Sequence, residues 1–441
     1  MQDIDLIILG GKVLLIDAKN TCLDNAAIAI NEGNIIAIDQ PENIARQYSA
    51  RKTITAKDSL IMPGFVNCHT HAAMTCFRGI ADDLELMDWL NNYIFPAEAK
   101  NVNKDLAYWG SLLACAEMIK SGTTTFCDMY IFEDETARAA KQAGMRCLIG
   151  EVLFDFPSPN SKTPQEGLDY TRMLIEKWQN DPLISIIVEP HALYTCSPDL
   201  LAKAKKLADD YSVPLGIHLL ENKSEKEQLQ KKFGKDAVIF LKDIGYLNER
   251  FLALHCVCLT AEDIRLFADY GVKVSHNPAS NMKLASGVAP VPDMLKAGIT
   301  VGLGTDGCAS NNTLDMIKEM STAAKLHKVA RLNPTVMNAQ TVVRMATIKG
   351  AGALGMDKIT GSLEVGKKAD IIIIGLNKPH LTPLYNEYSH LVYAASGADI
   401  DTVLINGKVV MENRSLLTID ETEVMQKVRE IAVNIKNSMR N

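Results

Sequence analysis

The chain has 441 residues, 47% of them hydrophobic and 22% charged, with a formal net charge of −7. That length and apolar content are enough to bury a large core, in one big domain or two smaller ones. The acidic balance argues against a general nucleic-acid or anionic-membrane binder, because both partners require a basic surface.

The N-terminal stretch "MQDIDLIILGGKVLLID" is acidic from its start and lacks the basic region and small-residue cleavage site of a secretory leader. No apolar run approaches about 18 residues, so no membrane span is expected and the protein is read as cytoplasmic. The ten cysteines are spread through apolar strand-like segments such as "TFCDM" and "ALHCVCL". With no CxxC pair among them, they read as buried free thiols.

Residues 1–60 carry short apolar runs, "DLIILGGKVLLID" and "AAIAINEGNIIAID", joined by Gly- and Asn-containing turns. From residue 58 onward, strand candidates alternate with helical periodicity. The strands are "SLIMPGFVNCHTH", "TTTFCDM", "RCLIGEVLF", "ISIIVEPHAL", "PLGIHLLE", "FLALHCVCL", "VKVSHNP" and "ITVGLGTDG". The helices between them include "AYWGSLLACAEMIKSG", "ETARAAKQAG", "SPDLLAKAKKLADDYS" and "TAEDIRLFADYG", with Ser197 and Thr260 as N-caps of the last two. Residues 361–415 return to strands, "GSLEVGKKADIIIIG" and "TVLINGKVVMENR", with Asn406-Gly407 as a hairpin turn, and an amphipathic helix follows from about 420. The expected fold is α/β: a (β/α)8 TIM barrel over 61–361, inserted in a small β-sandwich domain that both termini build from 1–60 and 362–441.

In a strand, residues i and i+2 share a face, so His69 and His71 project together from the carboxyl end of the first barrel strand, the end where such barrels do chemistry. Four of the other histidines, His191, His218, His255 and His276, fall at the ends of strands four to seven, and Asp306 ends the eighth. Neutral imidazoles with one carboxylate suit a divalent transition ion such as Zn²⁺ with an open position for water. His327, His380 and His390 lie outside these strand ends and read as surface or packing residues.

This pattern resembles the amidohydrolase superfamily: HxH on strand one, His on strands five and six, Asp on strand eight. More narrowly, "PGFVNCHTHAAMTCFRG", "HLLE", "HC", "SHNPASNMKLASG" and "GTDG" resemble the branch that contains 5-methylthioadenosine/S-adenosylhomocysteine deaminases and related aminohydrolases. The resemblance implies one Zn²⁺ per subunit, with Fe²⁺ or Mn²⁺ as alternatives, held by His69, His71, His218 and Asp306. It implies that Asp306 also takes a proton from the attacking water beside the substrate, and that His255 orients that water. It places Glu98 on ribose hydroxyls and His191 against the nucleoside, and it implies a homo-oligomer, dimer or tetramer. Strand four ends "VEPHALYT" with no lysine, and Glu189, followed by Pro190, is a poor bridge for a second ion, so one metal is expected.

Glu221 follows His218 by three residues in "HLLE", within reach of a substrate ring nitrogen. It reads as a substrate-facing proton shuttle, against the plainer alternative of a helix-start glutamate. His276 reads as a support for its neighbouring loop. The segment "DDLELMDWLNNYIFPAEAK" is long enough to cover the barrel mouth, with Trp89 and Phe95 as an apolar wall for a purine. The loop "FDFPSPNSKTPQEG" lacks the arginines that relatives use for the amino-acid tail of S-adenosylhomocysteine, leaving Asn160 or Lys162 as substitutes.

The expected function is hydrolytic deamination of an adenosine-type nucleoside, 5′-methylthioadenosine or S-adenosylhomocysteine, to the inosine derivative and ammonia. The small-molecule alternatives keep the mechanism and change the ring to guanine, an oxidised purine, a pterin or a triazine. A non-catalytic scaffold is the reading from another class, and it is disfavoured by the complete ligand set.

Overall fold

The computed structural model describes residues 1–439. The N-terminal strands form a four-stranded sheet in the order Asn34–Asp39, Ala27–Asn31, Gln2–Leu9, Tyr48–Thr55. A seven-stranded sheet draws on both ends of the chain, in the order Ser415–Leu416, Lys408–Glu412, Ile400–Ile405, Ile371–Gly375, Ser59–Pro63, Lys12–Leu14, Cys22–Asp24. Asn406 and Gly407 both have positive φ, 50° and 76°, and close the hairpin between Ile405 and Lys408 as their sequence demands. Ile8, Val13, Ile28, Ile61, Ile371 and Leu404 from the two sheets share one buried cluster.

Eight short parallel strands carry the site. They are β1 (Phe65–Thr70), β2 (Thr123–Tyr130), β3 (Arg146–Leu153), β4 (Ile184–Ile186, resumed at Glu189–Pro190), β5 (Leu215–Leu219), β6 (Phe251–His255), β7 (Lys273–His276) and β8 (Thr300–Leu303). β1 to β4 pair in sequence order, and so do β5 to β8. Isolated parallel bridges, Val188 to Leu215 and Ala192 to His218, connect the two sets. Between the strands run the expected helices, including Lys104–Lys120, Glu133–Ala143, Pro198–Tyr211 and Ala261–Tyr270. Ser197 caps the third of these through Leu200, and Thr260 forms a capping box with Asp263 at the fourth.

Three expectations are corrected. The stretch 59–71 is two strands, because Ser59–Pro63 runs antiparallel to Ile371–Gly375 before the chain turns at Gly64 into β1. The fourth strand is interrupted, and Pro190, which has no N–H to give a ladder, ends its second piece. All ten cysteines are unpaired, but Cys22 is exposed on the edge strand of the seven-stranded sheet.

The final helix, Glu421–Ser438, begins at an Asp420 cap and buries Val428 and Ile435 in the same cluster as Leu90 and Leu106. Ser438 Oγ donates to Asn101 Oδ1 at 2.9 Å. The helix thereby braces the segment 86–101, which walls the site. Among the described residues, no helix is long and apolar enough to cross a membrane.

Candidate functional site

β1 ends at Thr70, and His71, one residue on, keeps an extended φ of −128°, so His69 and His71 still face the same side. The backbone of β8 passes beside them: Asp306 N–H donates to the His69 carbonyl at 2.9 Å. The approach is so close that a Cβ on Gly304 would lie 2.9 Å from the His69 Cβ and 2.5 Å from Asn277 Oδ1. Only glycine fits there. The result is a tight knot of donors: Asp306 Oδ1 lies 3.3 Å from His69 Nε2 and 3.1 Å from His71 Nε2, and His69 Nε2 lies 3.2 Å from His218 Nε2.

Two of the three rings, His71 and His218, are turned by a partner outside the knot. His71 Nδ1–H donates to the Met129 carbonyl in a very short bond, and His218 Nδ1–H donates to the His191 carbonyl at 2.8 Å. Both therefore aim Nε2 inward. Asp306 Oδ2 accepts from Ser280 Oγ at 2.6 Å and Ser310 Oγ at 2.8 Å, leaving Oδ1 to the imidazoles and the Gly307 N–H. His69 Nδ1 is buried without a hydrogen-bond partner.

Burial pushes His69 down to about 4 and His218 well below the usual histidine value. Burial also opposes a charge on His71, but the Asp306 carboxylate outweighs it and holds that ring up at about 9. Asp306, which burial alone would raise, is held well below the carboxylate range by His69 and His71. His69 and His218 are thus kept neutral beside an ionised Asp306 carboxylate. Donor atoms of His69, His71 and Asp306 lie within 4.8 Å of one another, as do those of His69, His218 and His255. The three-imidazole, one-carboxylate donor set fits a divalent transition ion.

Glu221 and His255 stand beside the cage, Glu221 Oε1 3.8 Å from His255 Nδ1. Burial raises the Glu221 carboxyl above its ordinary value. His255 Nδ1 meets Asn281 Oδ1 at 2.9 Å, a bond in which the ring N–H donates to the amide oxygen. His255 and Asp306 both sit in the left-handed backbone region, at φ 67° and 62°. Such conformations are rare for residues with a Cβ and gather at functional sites.

The cage opens into a cavity lined by His71, Glu98, His191, His218, Glu221, His255, Asp306 and an apolar wall. Trp89 lines it from a π-helical turn, Trp89–Ile94, and its indole N–H is buried without a partner. Glu98, from the helix Phe95–Asn101, is buried and accepts from the Tyr130 hydroxyl at 2.7 Å. Burial, opposed by that bond, raises it to about 7.

The sequence profile of the amidohydrolase family matches residues 60–410. The chain belongs to that family. Over 440 residues it is 63% identical to the 5-methylthioadenosine/S-adenosylhomocysteine deaminase 1 of Syntrophus aciditrophicus, covering 100% of this chain and 99% of the relative. It is 46% identical over 430 residues to the 5′-deoxyadenosine deaminase of Methanosarcina barkeri, covering 97% and 98%. Among solved structures, a zinc-bound adenosine deaminase from Xanthomonas campestris superposes with a TM-score of 0.97 at 37% identity, covering 99% of each chain. The zinc-complexed atrazine chlorohydrolase of Arthrobacter aurescens TC1 shares the fold, with a TM-score of 0.90 at 24% identity over 97% of this chain and 100% of its own.

Within this amidohydrolase, His69, His71, His218, Asp306, Glu221, His255, Glu98, His191 and Trp89 all lie at one cavity or directly beneath it. Other expectations separate from it. His276 does not support the adjoining loop: its Nε2 lies 3.0 Å from His327 Nε2, against the helix Met316–Arg331. His327 is correspondingly buried packing, while His380 pairs with Asp399 at 3.0 Å and His390 Nδ1 lies 3.2 Å from the Asn386 carbonyl. Glu189 belongs to neither donor group: both carboxyl oxygens are buried without partners beside Gly150 and Gly216, and burial pushes its pKa well up. Asn160 is committed to Glu151 Oε1 at 2.8 Å, and Lys162 is exposed outside the cavity lining. Sequence reasoning missed Ser280, Asn281 and Ser310 as partners of Asp306 and His255. The polar run "SHNPASN" after β7 was the available signal for two of them.

Proposed function

We propose that this chain is a metal-dependent deaminase of adenosine-type nucleosides, converting 5′-methylthioadenosine, S-adenosylhomocysteine or a close analogue to the inosine derivative and ammonia. The observation that carries the reading is the convergence of His69, His71, His218 and Asp306 at the floor of a cavity that also presents Glu221, His255 and Glu98. The deaminase names of full-length relatives at 63% and 46% identity support the substrate class. His69, His71, His218 and Asp306 would hold one divalent ion per subunit. Zn²⁺ is the proposed ion, in keeping with the zinc-bound structural neighbour at 37% identity, and Fe²⁺ or Mn²⁺ are the alternatives. When bound, such an ion makes a water nucleophilic near neutral pH.

The protein's own groups complete the chemistry. Asp306 Oδ1 accepts the proton that the attacking water loses, its other oxygen being fixed by Ser280 and Ser310. Glu221, raised by burial, gives its proton to the ring nitrogen beside the reacting carbon and takes back the one left on the added hydroxyl, while the proton held by Asp306 goes to the departing amine, so that both carboxyls return to their starting states. His255, oriented by Asn281, positions the water. Glu98 accepts from the sugar hydroxyls, while His191 and Trp89 border the nucleoside.

The proposed architecture is a closed (β/α)8 barrel, expected over 61–361 and opening at the strand Phe65–Thr70, inserted in a β-sandwich from the N-terminal strands through Pro63 and from 362–441. The bridges between β4 and β5 and the contact of Asp306 with His69 support it. A cytoplasmic homodimer or homotetramer belongs to the same reading, and ten unpaired thiols accord with a reducing compartment. Light scattering on the purified protein tests the assembly.

The deciding experiment is ammonia release by the Zn-loaded protein over 5′-methylthioadenosine, S-adenosylhomocysteine, adenosine, guanine and melamine, with His69→Ala as control. Preference for the nucleosides upholds the reading. Activity confined to guanine or melamine keeps the metal chemistry and discards Glu98 as a sugar contact.

A further inference from the structure

We infer that this site selects nucleosides whose 5′ substituent is apolar and uncharged, and discriminates against one ending in an amino-acid zwitterion. The inference rests on the nucleoside-deaminase reading and narrows its substrate class. Both groups assigned to the sugar border a single aromatic cluster. Phe95 precedes Glu98 by three residues on the same helix, and its ring centroid lies 6.2 Å from that of His191, 6.3 Å from Phe154 and 5.9 Å from Phe156. Phe154 stacks on Phe156 at 4.6 Å with 24° between planes, and its centroid is 4.9 Å from His191. A ribose held between Glu98 and His191 would lie beside these rings, within reach of a 5′ substituent.

The one cationic ring of the cavity lining, His71, is already paired with Asp306. That lining contains the carboxyl groups of Glu98, Glu221 and Asp306, and no lysine or arginine among the described residues. In the loop after β3, Asp155, Ser158 and Asn160 are already engaged, by the loop itself, by β3 and by the helix cap Ser197. Asn160 bonds Glu151, Ser161 N–H donates to Ser158 Oγ at 3.1 Å, and Asp155 accepts from Ser197 Oγ at 3.1 Å. The faces of the three Phe rings could attract an ammonium. A carboxylate at the same place meets apolar carbon and other carboxylates, and desolvating it without a partner is strongly unfavourable. A methylthio or methyl group in that position gains from the burial that the carboxylate opposes.

The test compares kcat/KM of the Zn-loaded protein for 5′-methylthioadenosine, 5′-deoxyadenosine and S-adenosylhomocysteine at one pH. The two apolar substrates are expected to exceed S-adenosylhomocysteine by on the order of 100-fold, mostly through KM. Phe156→Arg, at a ring that is 40% exposed, should raise S-adenosylhomocysteine turnover relative to 5′-methylthioadenosine. Lys162→Ala should leave the ratio unchanged. S-adenosylhomocysteine within about threefold of 5′-methylthioadenosine in the natural protein would overturn the inference, since a difference that small is below even the roughly 10-fold that one methylene makes in an apolar pocket. A specific loss of S-adenosylhomocysteine activity in Lys162→Ala would overturn it as well. Ammonia from guanine but from no nucleoside is a separate result, which removes the parent reading and this selectivity together.

Discussion

At the scale of single residues, chemistry is set by which nitrogen or oxygen each side chain is allowed to present. Asn281 Oδ1 can only accept, so it keeps the His255 proton on Nδ1. Asn281→Leu is expected to lower kcat by about 10- to 100-fold with KM nearly unchanged, because a buried orienting bond is lost. Asn281→Asp, which retains an acceptor, should recover part of that loss; equal loss in both variants would assign Asn281 to folding instead. Glu221→Gln keeps the shape but cannot give up a proton, and should cost about 10²- to 10⁴-fold in kcat with the metal still bound. Metal content and steady-state rates measured together check this. Glu98→Ala is expected to raise KM for nucleosides while sparing any free-base activity. His69 and His71 were legible from sequence because strand periodicity puts both on one face, while His218 and Asp306 were singled out by their place at strand ends and by the family resemblance. Asn281 was not, because its partner lies 26 residues away and only packing brings them together.

At the scale of elements, the strand ends are positioned by close contacts that tolerate little change. Gly304→Ala would drive a methyl into Asn277 and His69, so loss of bound metal and a lower Tm are expected, both readable by metal analysis and calorimetry. The helix Met316–Arg331 supports the short helix Pro278–Lys283 through Glu319, which accepts from Ala279 N–H at 2.8 Å and Asn311 Nδ2 at 3.0 Å. Burial raises Glu319 from 4.5 to about 8, with those bonds opposing it. The folded state therefore holds this proton more tightly than the unfolded chain does. Its contribution to stability is full below the unfolded pKa and is lost as pH rises through the folded one, here between about 4.5 and 8. Glu319→Gln should flatten the fall of Tm between roughly pH 5 and 8, and an unchanged slope would refute the assignment. The alternation of strands and helices was readable from apolar periodicity and caps. The split of residues 59–71 was not, since both halves are equally apolar and only the partner sheet distinguishes them.

At the scale of the whole molecule, the parallel strands and the terminal sheets are joined by a buried ion pair. Arg146 Nε donates to Asp370 Oδ2 at 2.9 Å, Arg146 Nη1 donates to the Pro182 carbonyl at 3.0 Å, and Asn406 N–H donates to Asp370 Oδ1 at 2.7 Å. Removing one partner strands the other charge, so Asp370→Ala should cost about 3–5 kcal/mol in denaturant unfolding. Adding Arg146→Ala to it should cost less than the sum of the singles. What the sequence determined by itself was the fold class, the set of donors at successive strand ends and the pairing of the two termini, because periodicity, turn chemistry and strand-end position are local properties of the chain. What only the tertiary structure decided was which way each ring turns, which polar groups are already engaged, and the aromatic character of the cavity wall. Those depend on contacts between residues far apart in sequence, and hydrogen-bond direction and burial exist only once those residues meet.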